Sequence, residues 1–183
     1  MLNRLFALLL LIIFSPLFLI VAIVILIQDG FPIFFTQKRV GINYTFFNIY
    51  KFRSMKKNTP NVATHLLTNP DQYLLKIGNF IRKTSLDELP NLINIIKGEM
   101  VFVGPRPALY NQDDLMALRV AAGVDKLKPG ITGWAQINGR DEISITDKVK
   151  LEQEYMYKKS TLFDFDIIIK TFTNVLFSKG VSH

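Results

Sequence analysis

Asp87 and Glu88 stand side by side in TSLDELPN, residues 84–91, where a long and almost acid-free stretch ends. Residues 1–86 carry ten Lys or Arg against Asp29 and Asp71 alone, a net of +8; the whole chain is +7, so residues 87–183 net −1. Two adjacent carboxylates can divide a reaction between them, one attacking an electrophile while the other holds a hard cation. Arg82 and Lys83 precede the pair, and a helix N-terminus offers free N–H groups and partial positive charge, a setting that suits phosphate. A carboxylate in that field stays ionised and can serve as a nucleophile. Attack on phosphorus brings two anions together, so neutralising charge is the main demand; Mg²⁺ held by Glu88, with Asp87 beside it, and by a substrate diphosphate would meet it, helped by arginines.

The same residues also read as a helix cap. Ser85-Leu86-Asp87-Glu88 is a capping box, Ser85 as N-cap and Glu88 reaching back, but Pro90 then falls at the fifth helical position and removes a backbone bond. With Asp87 as N-cap, Pro90 sits where no donor is missed. The two acids are therefore not both ideal caps of one helix, and cap and reaction centre both stay open. Either way Asp87 leads into a polar stripe, Asn91 and Asn94.

The elements that must position this pair begin with an apolar N-terminus. Leu5 to Ile27 runs 23 residues with one polar side chain, Ser15, followed by Pro16. A spanning helix needs about 20 apolar residues, but Pro16 breaks the segment in its middle. Each limb, Leu5 to Phe14 and Leu17 to Ile27, rises only about 15–17 Å. Arg4 on one side and Lys38, Arg39, Lys51, Arg53, Lys56 and Lys57 on the other place both ends in the cytoplasm by the positive-inside rule. A re-entrant helix-break-helix satisfies all of this, if Ser15 or nearby backbone occupies the carbonyls freed by Pro16; a kinked spanning anchor is the alternative. The apolar run is too long for a cleavable signal and has no small-residue cleavage site.

At 183 residues there is room for one domain. The expected division is an anchor over residues 1–30 and a cytoplasmic catalytic domain over residues 31–183. Without cysteine, and with only His65 and His183 as imidazoles, disulfides are excluded, zinc catalysis is not expected, and any metal should sit on oxygen. Ile33–Gln37 and Thr45–Phe52 read as a β-hairpin around VGIN, and the six basic residues between Lys38 and Lys57 suit either anionic lipid headgroups or an ordinary solvated basic loop. Periodicity predicts a helix over Asp71–Lys83, a second from the Asp87 region closed by Gly98, and further helices over Pro107–Gly123, Ser144–Lys159 and Thr161–Ser178. Met100–Val103 reads as a buried strand and Lys128–Arg140, KPGITGWAQINGR, as an ordered loop. Leu162, Phe165, Ile168, Ile169, Phe172 and Val175 form an apolar stripe that suits a core or a bilayer interface.

Three stretches together resemble one family: KFRSM (Lys51 to Met55), IRKTSLDELPNLINIIKGEMVFVGPRP (Ile81 to Pro107) and KPGITGWAQINGR (Lys128 to Arg140). They are similar to the bacterial sugar transferases, the monotopic phosphoglycosyl transferases, and Ser15-Pro16 is similar to the break in that family's anchor. The resemblance implies an α/β, mostly helical, monotopic membrane protein: a re-entrant anchor plus one small globular domain with a short β-hairpin and amphipathic interface helices. It implies transfer of a sugar 1-phosphate from a UDP-sugar to polyprenol (undecaprenyl) phosphate with release of UMP, at the cytoplasmic face of the bacterial inner membrane. By the resemblance, Asp87 is the nucleophile that forms a covalent phosphosugar intermediate, Glu88 the Mg²⁺ ligand and Arg82 a phosphate-binding arginine. Arg106 and Arg140 fall in motifs that hold the nucleotide or diphosphate, and Lys51 and Arg53 are placed to meet the polyprenol phosphate. Nucleic acid is not an expected partner; a homo-oligomer is compatible with the sequence.

Two rivals remain at this level. Asp164-Phe165-Asp166 matches a DxD metal motif of glycosyltransferases that release UDP, although it lies in an amphipathic helix. A non-enzymatic membrane scaffold accounts for the basic hairpin and the last helix but not for the Gly-, Pro- and Arg-rich stretches.

Overall fold

A computed structural model describes residues 1–60, 69–139 and 143–176. The chain opens with α1 (Leu2–Ile13) and α2 (Ser15–Asp29), bent by 63° across Phe14. Pro16 falls in the first turn of α2, where its missing N–H leaves no bond unmade. Ser15 Oγ donates to the Ile12 carbonyl at 2.7 Å, the re-satisfaction the sequence called for. Among the described residues no single helix is long and apolar enough to cross a membrane; the bent pair meets that test only together. The outer sides of both limbs expose Leu2, Ile12, Leu19, Ile20 and Ile27, whereas Ala7, Val21, Ala22 and Ile25 face inward.

β1 (Phe34–Val40) and β2 (Phe46–Phe52) pair antiparallel, Val40 opposite Phe46 and Phe34 opposite Phe52, around the turn at Gly41–Tyr44. Strand alternation divides their side chains between two cores. Phe47 and Ile49 join Ala7 of α1 and Leu92, Ile95 and Met100. Phe52 joins Val21, Ala22 and Ile25 of α2 with Leu75 and Ile81. The two limbs of the bent pair thus supply residues to different cores on either side of the hairpin.

The helix expected over Asp71–Lys83 is shorter. Pro70–Tyr73 makes a 3₁₀ turn, Leu74 is extended, and α3 spans Gly78–Lys83. The intervening backbone is taken up by pairing with the segment after β2: Lys56 N–H donates to the Tyr73 carbonyl at 2.7 Å and Leu75 N–H to the Ser54 carbonyl at 3.0 Å. α4 (Asn91–Lys97) ends on Gly98 at φ 85°, as expected.

β3 (Val101–Val103) leads into GPRP. Residues 107–109 then bridge to the hairpin, Val40 N–H donating to the Ala108 carbonyl at 3.0 Å, so α5 begins only at Asp113 and runs to Ala122. KPGITGW is not a loop. Gly130–Thr132 forms β4, parallel to β3, and Trp134–Ile137 forms α6. The glycines permit this: a Cβ on Gly130 or Gly133 would run into the backbone of Gly104, and one on Gly104 into the Lys128 carbonyl. α7 (Ile145–Lys158) is capped by Ser144, whose Oγ accepts from Asp147 N–H at 3.1 Å. α8 (Thr161–Leu176) buries Ile167 but exposes Leu162, Phe165, Ile169 and Phe172, so most of its apolar stripe faces outward rather than into the core.

Candidate active site

The dyad lies on a 3₁₀ turn, Leu86–Glu88, between α3 and α4. Ser85 enters it in the left-handed region (φ 56°) and makes no capping bond; α4 starts at Asn91 with Pro90 as N-cap. Both cap registers drawn from the sequence are thereby corrected: the helix begins later, and Pro90 precedes it, where the missing N–H is harmless. Leu86 and Leu89 pack into the α2 core, which anchors the turn by its apolar residues while Asp87 and Glu88 meet the end of β2.

Lys51 shares a strand face with Phe47 and Ile49 and reaches the turn. Its Nζ lies 2.5 Å from Glu88 Oε1 and 3.9 Å from Asp87 Oδ2. Arg82, in the last turn of α3, donates from Nε to Ser54 Oγ at 2.9 Å and adds its charge near Asp87. Burial pushes the Asp87 carboxyl up to about 6; Lys51 pulls it back down, Glu88 pushes it up and Arg82 pulls it down. At neutral pH it is mostly an anion, of higher basicity than an exposed aspartate.

Beside the dyad a shallow, open cleft is lined by Arg39, Lys51, Glu88, Asn91 and Arg106 over Ile49, Met100 and Ile131. Arg39 pairs opposite Phe47 and so shares its face; its Nη1 donates to the Pro107 carbonyl at 3.0 Å. Arg106 is set from behind by a buried ion pair. Arg119 donates to Glu152 at 2.5 and 2.8 Å, and its Nη2 also donates to the Arg106 carbonyl at 2.9 Å.

Lys51, Arg82, Asp87, Glu88 and Arg106 are therefore gathered within one region. Arg53 is turned elsewhere. Only 6% exposed, it donates to the carbonyls of Asp29, Gly30 and Pro32 and pairs with the Asp29 carboxylate, tying the end of α2 to the end of β2. Arg140 lies outside the described residues, as do His65 and His183. Arg39, read from the sequence only as one of the basic residues suited to anionic lipid, instead lines the cleft, and the Arg119–Glu152 pair went unread, because an arginine in a strand and an acid in a helix carry no local signal of their partners; Asn91 was visible only as part of a polar stripe. The two acids of the DxD triplet diverge: Asp164 accepts from Tyr155 OH at 2.7 Å, whereas Asp166 pairs with Lys170 at 2.7 Å on the surface.

Comparison with known proteins bears on the whole of this architecture. Residues 1–178 match the family model described as bacterial sugar transferase. The chain is 40% identical over 168 residues to the uncharacterized sugar transferase EpsL of Bacillus subtilis, covering 91% of this chain and 81% of that protein. It is 38% identical over 194 residues to the exopolysaccharide production protein ExoY of Sinorhizobium fredii, covering 97% and 85%. With the UDP-glucose:undecaprenyl-phosphate glucose-1-phosphate transferase of Escherichia coli it shares 38% identity over 172 residues, 90% of this chain but 37% of that protein.

Proposed function

The chain belongs to the bacterial sugar transferase family, and we propose that it moves a sugar 1-phosphate from a UDP-sugar to polyprenol phosphate through a covalent Asp87 intermediate. The observation that carries this reading is the environment of Asp87: a shielded carboxylate on a short turn, between Lys51 and Arg82, beside a cation-lined cleft. Asp87 is the nucleophile. Its oxygen attacks the phosphorus that bears the sugar, the bond from that phosphorus to the bridging oxygen breaks, and UMP leaves with that oxygen. An oxygen of the polyprenol phosphate then attacks the same phosphorus, and the Asp87 carboxylate is restored. Two half-reactions through one side chain let a soluble donor and a bilayer-bound acceptor use the site in turn.

The dyad's donor set suits a hard cation. Among the described residues no group of three or more His, Cys, Asp or Glu is assembled, so Glu88, with Asp87 adjacent, offers carboxylate oxygens that substrate phosphate would complete, the pattern Mg²⁺ favours. Bound there, Mg²⁺ supplies neutralisation of the diphosphate charge. Lys51 holds Glu88 and attracts phosphate; Arg82 and Arg106 present further positive charge to the anionic substrate.

The reaction belongs at the inner membrane's cytoplasmic face, with residues 1–30 as a re-entrant anchor and residues 31–183 as the catalytic part. Support comes from the 63° bend and the apolar outer surface of both limbs. The exposed apolar stripe of α8 suits the same interface.

The test is to incubate the full chain with Mg²⁺ and a panel of UDP-sugars, omit the lipid, and weigh the intact protein. Wild type is expected to gain the mass of one sugar phosphate with one of the donors and to release UMP; Asp87→Asn gains nothing. Release of UDP instead would overturn the reading.

A further inference from the structure

α4 opens with two buried asparagines that the fold treats differently. Asn94 is wholly satisfied: its Nδ2 donates to the Asn48 carbonyl at 2.8 Å and to Glu99 at 2.7 Å, and its Oδ1 accepts from Tyr50 N–H at 3.1 Å. It joins α4 to β2. Asn91 is 2% exposed and lines the cleft beside Glu88, and its Oδ1 is buried with no hydrogen-bond partner. Natural folds pair nearly all such groups, and an acceptor kept unpaired at the wall of a cleft is explained by a donor that arrives with a ligand.

The chemistry of the cleft narrows that donor. Arg39, Lys51 and Arg106 suit the anionic oxygens of a diphosphate, which carries no proton to give an amide oxygen at neutral pH. The group facing Asn91 must be neutral, an O–H or N–H of the sugar or nucleoside. Asn91 is the first residue of α4, four residues after Asp87 and just past the turn that carries the dyad. The hexose is bonded directly to the phosphorus that Asp87 attacks, whereas the nucleoside lies one phosphate further away.

We propose that Asn91 reads the transferred sugar: its Oδ1 accepts a hydrogen bond from a hexose hydroxyl and so discriminates among UDP-sugars. This rests on the phosphoglycosyl transferase reading above. A site built to bond a hydroxyl rejects the analogue that lacks it, because its own polar atom stays unpaired.

The full chain in nanodiscs, with Mg²⁺ and polyprenol phosphate, is assayed with its preferred UDP-sugar and with that sugar's monodeoxy analogues. Asn91→Ala is expected to lower kcat/KM about tenfold while inhibition by UMP and the Mg²⁺ dependence stay as in wild type. One deoxy analogue should lose the same factor with wild type and nothing further with Asn91→Ala, a non-additive cycle. Asn91→Gln, which keeps the acceptor, should recover part of the loss. Thermal melting should show Asn91→Ala as stable as wild type and Asn94→Ala clearly weakened. Losses that add for every analogue overturn the proposal. So does weakened UMP inhibition, which moves the contact to the nucleoside, or a raised Mg²⁺ requirement, which makes Asn91 a metal ligand. If wild type turns over no UDP-sugar, the phosphoglycosyl reading itself falls and the proposal with it.

Discussion

Lys51 Nζ lies 2.5 Å from Glu88 Oε1 and 3.9 Å from Asp87 Oδ2, so a single ammonium on β2 spans both carboxylates of the dyad. It lowers the Asp87 carboxyl against the upward push of burial and of Glu88. Replacing it with Met is expected to cut kcat/KM about 10²-fold. The acid limb of the pH–rate profile, which wild type should show near 6, should move to higher pH in Lys51→Met, because protonation of Asp87 becomes easier. A profile whose limb stays in place would mean that Lys51 does not act on Asp87.

Asp87 also links pH to stability, and with the opposite sign from a salt-bridged aspartate. Its carboxyl titrates at about 6 rather than 3.8, so its contribution to the fold is fully present below about pH 4 and is lost as pH rises through 6. Asp87→Asn removes the cost of burying the anion. The variant is expected to be more stable than wild type at pH 8, by on the order of 2 kcal/mol, and to lose that advantage near pH 4. Differential melting at the two pH values checks this, alongside the loss of all turnover.

How far the sequence disclosed these arrangements follows from the range of the forces involved. The hairpin, the break at Pro16, the αL stop at Gly98 and the last two helices rest on local chemistry, and each was legible in residue type and spacing. Ser85 and Pro90 carried conflicting local signals, and tertiary packing of Leu86 and Leu89 decided between them in favour of a 3₁₀ turn. β4 was hidden because three residues of Gly-Ile-Thr become a strand only when β3 lies alongside. For the site, Arg82, Asp87 and Glu88 were legible in charge and adjacency, Lys51 and Arg106 came from motif resemblance, and the five do converge. Arg53 comes from the same KFRSM run as Lys51 yet its guanidinium is turned to the end of α2, since its carbonyl and carboxylate partners at residues 29–32 are distant in sequence.

The Arg119–Glu152 pair separates positioning from stability. Both side chains are buried, and Glu152→Gln leaves an uncompensated cation, with an expected loss of about 3–5 kcal/mol. The double replacement Arg119→Met with Glu152→Leu is expected to recover most of the melting temperature. It cannot recover the bond to the Arg106 carbonyl, so kcat/KM should remain depressed. Full recovery of both would show that GPRP needs no such support.

The absence of cysteine makes the topology of the proposed anchor directly measurable. Single cysteines at Asn3 and Lys57 are expected to react with an impermeant reagent from the cytoplasmic side of sealed vesicles and not from the other. Pro16→Leu with Ser15→Leu, which permits one continuous helix, is expected to carry residue 3 to the opposite side. Opposite-side labelling in the wild type would replace the re-entrant anchor with a spanning one.

Because α1 supplies Ala7 to one core and α2 supplies Val21, Ala22 and Ile25 to another, the bent pair is not an interchangeable tether. Its inward residues are under the same constraint as any interior position, and their substitutions must be matched by substitutions in Leu92, Ile95, Phe52 or Ile81. Across relatives, these positions should therefore covary while the exposed side drifts freely among apolar types. Grafting a foreign hydrophobic segment in place of this bent pair would leave two cores open, so the N-terminus is expected to be inherited with the dyad rather than shuffled as a module.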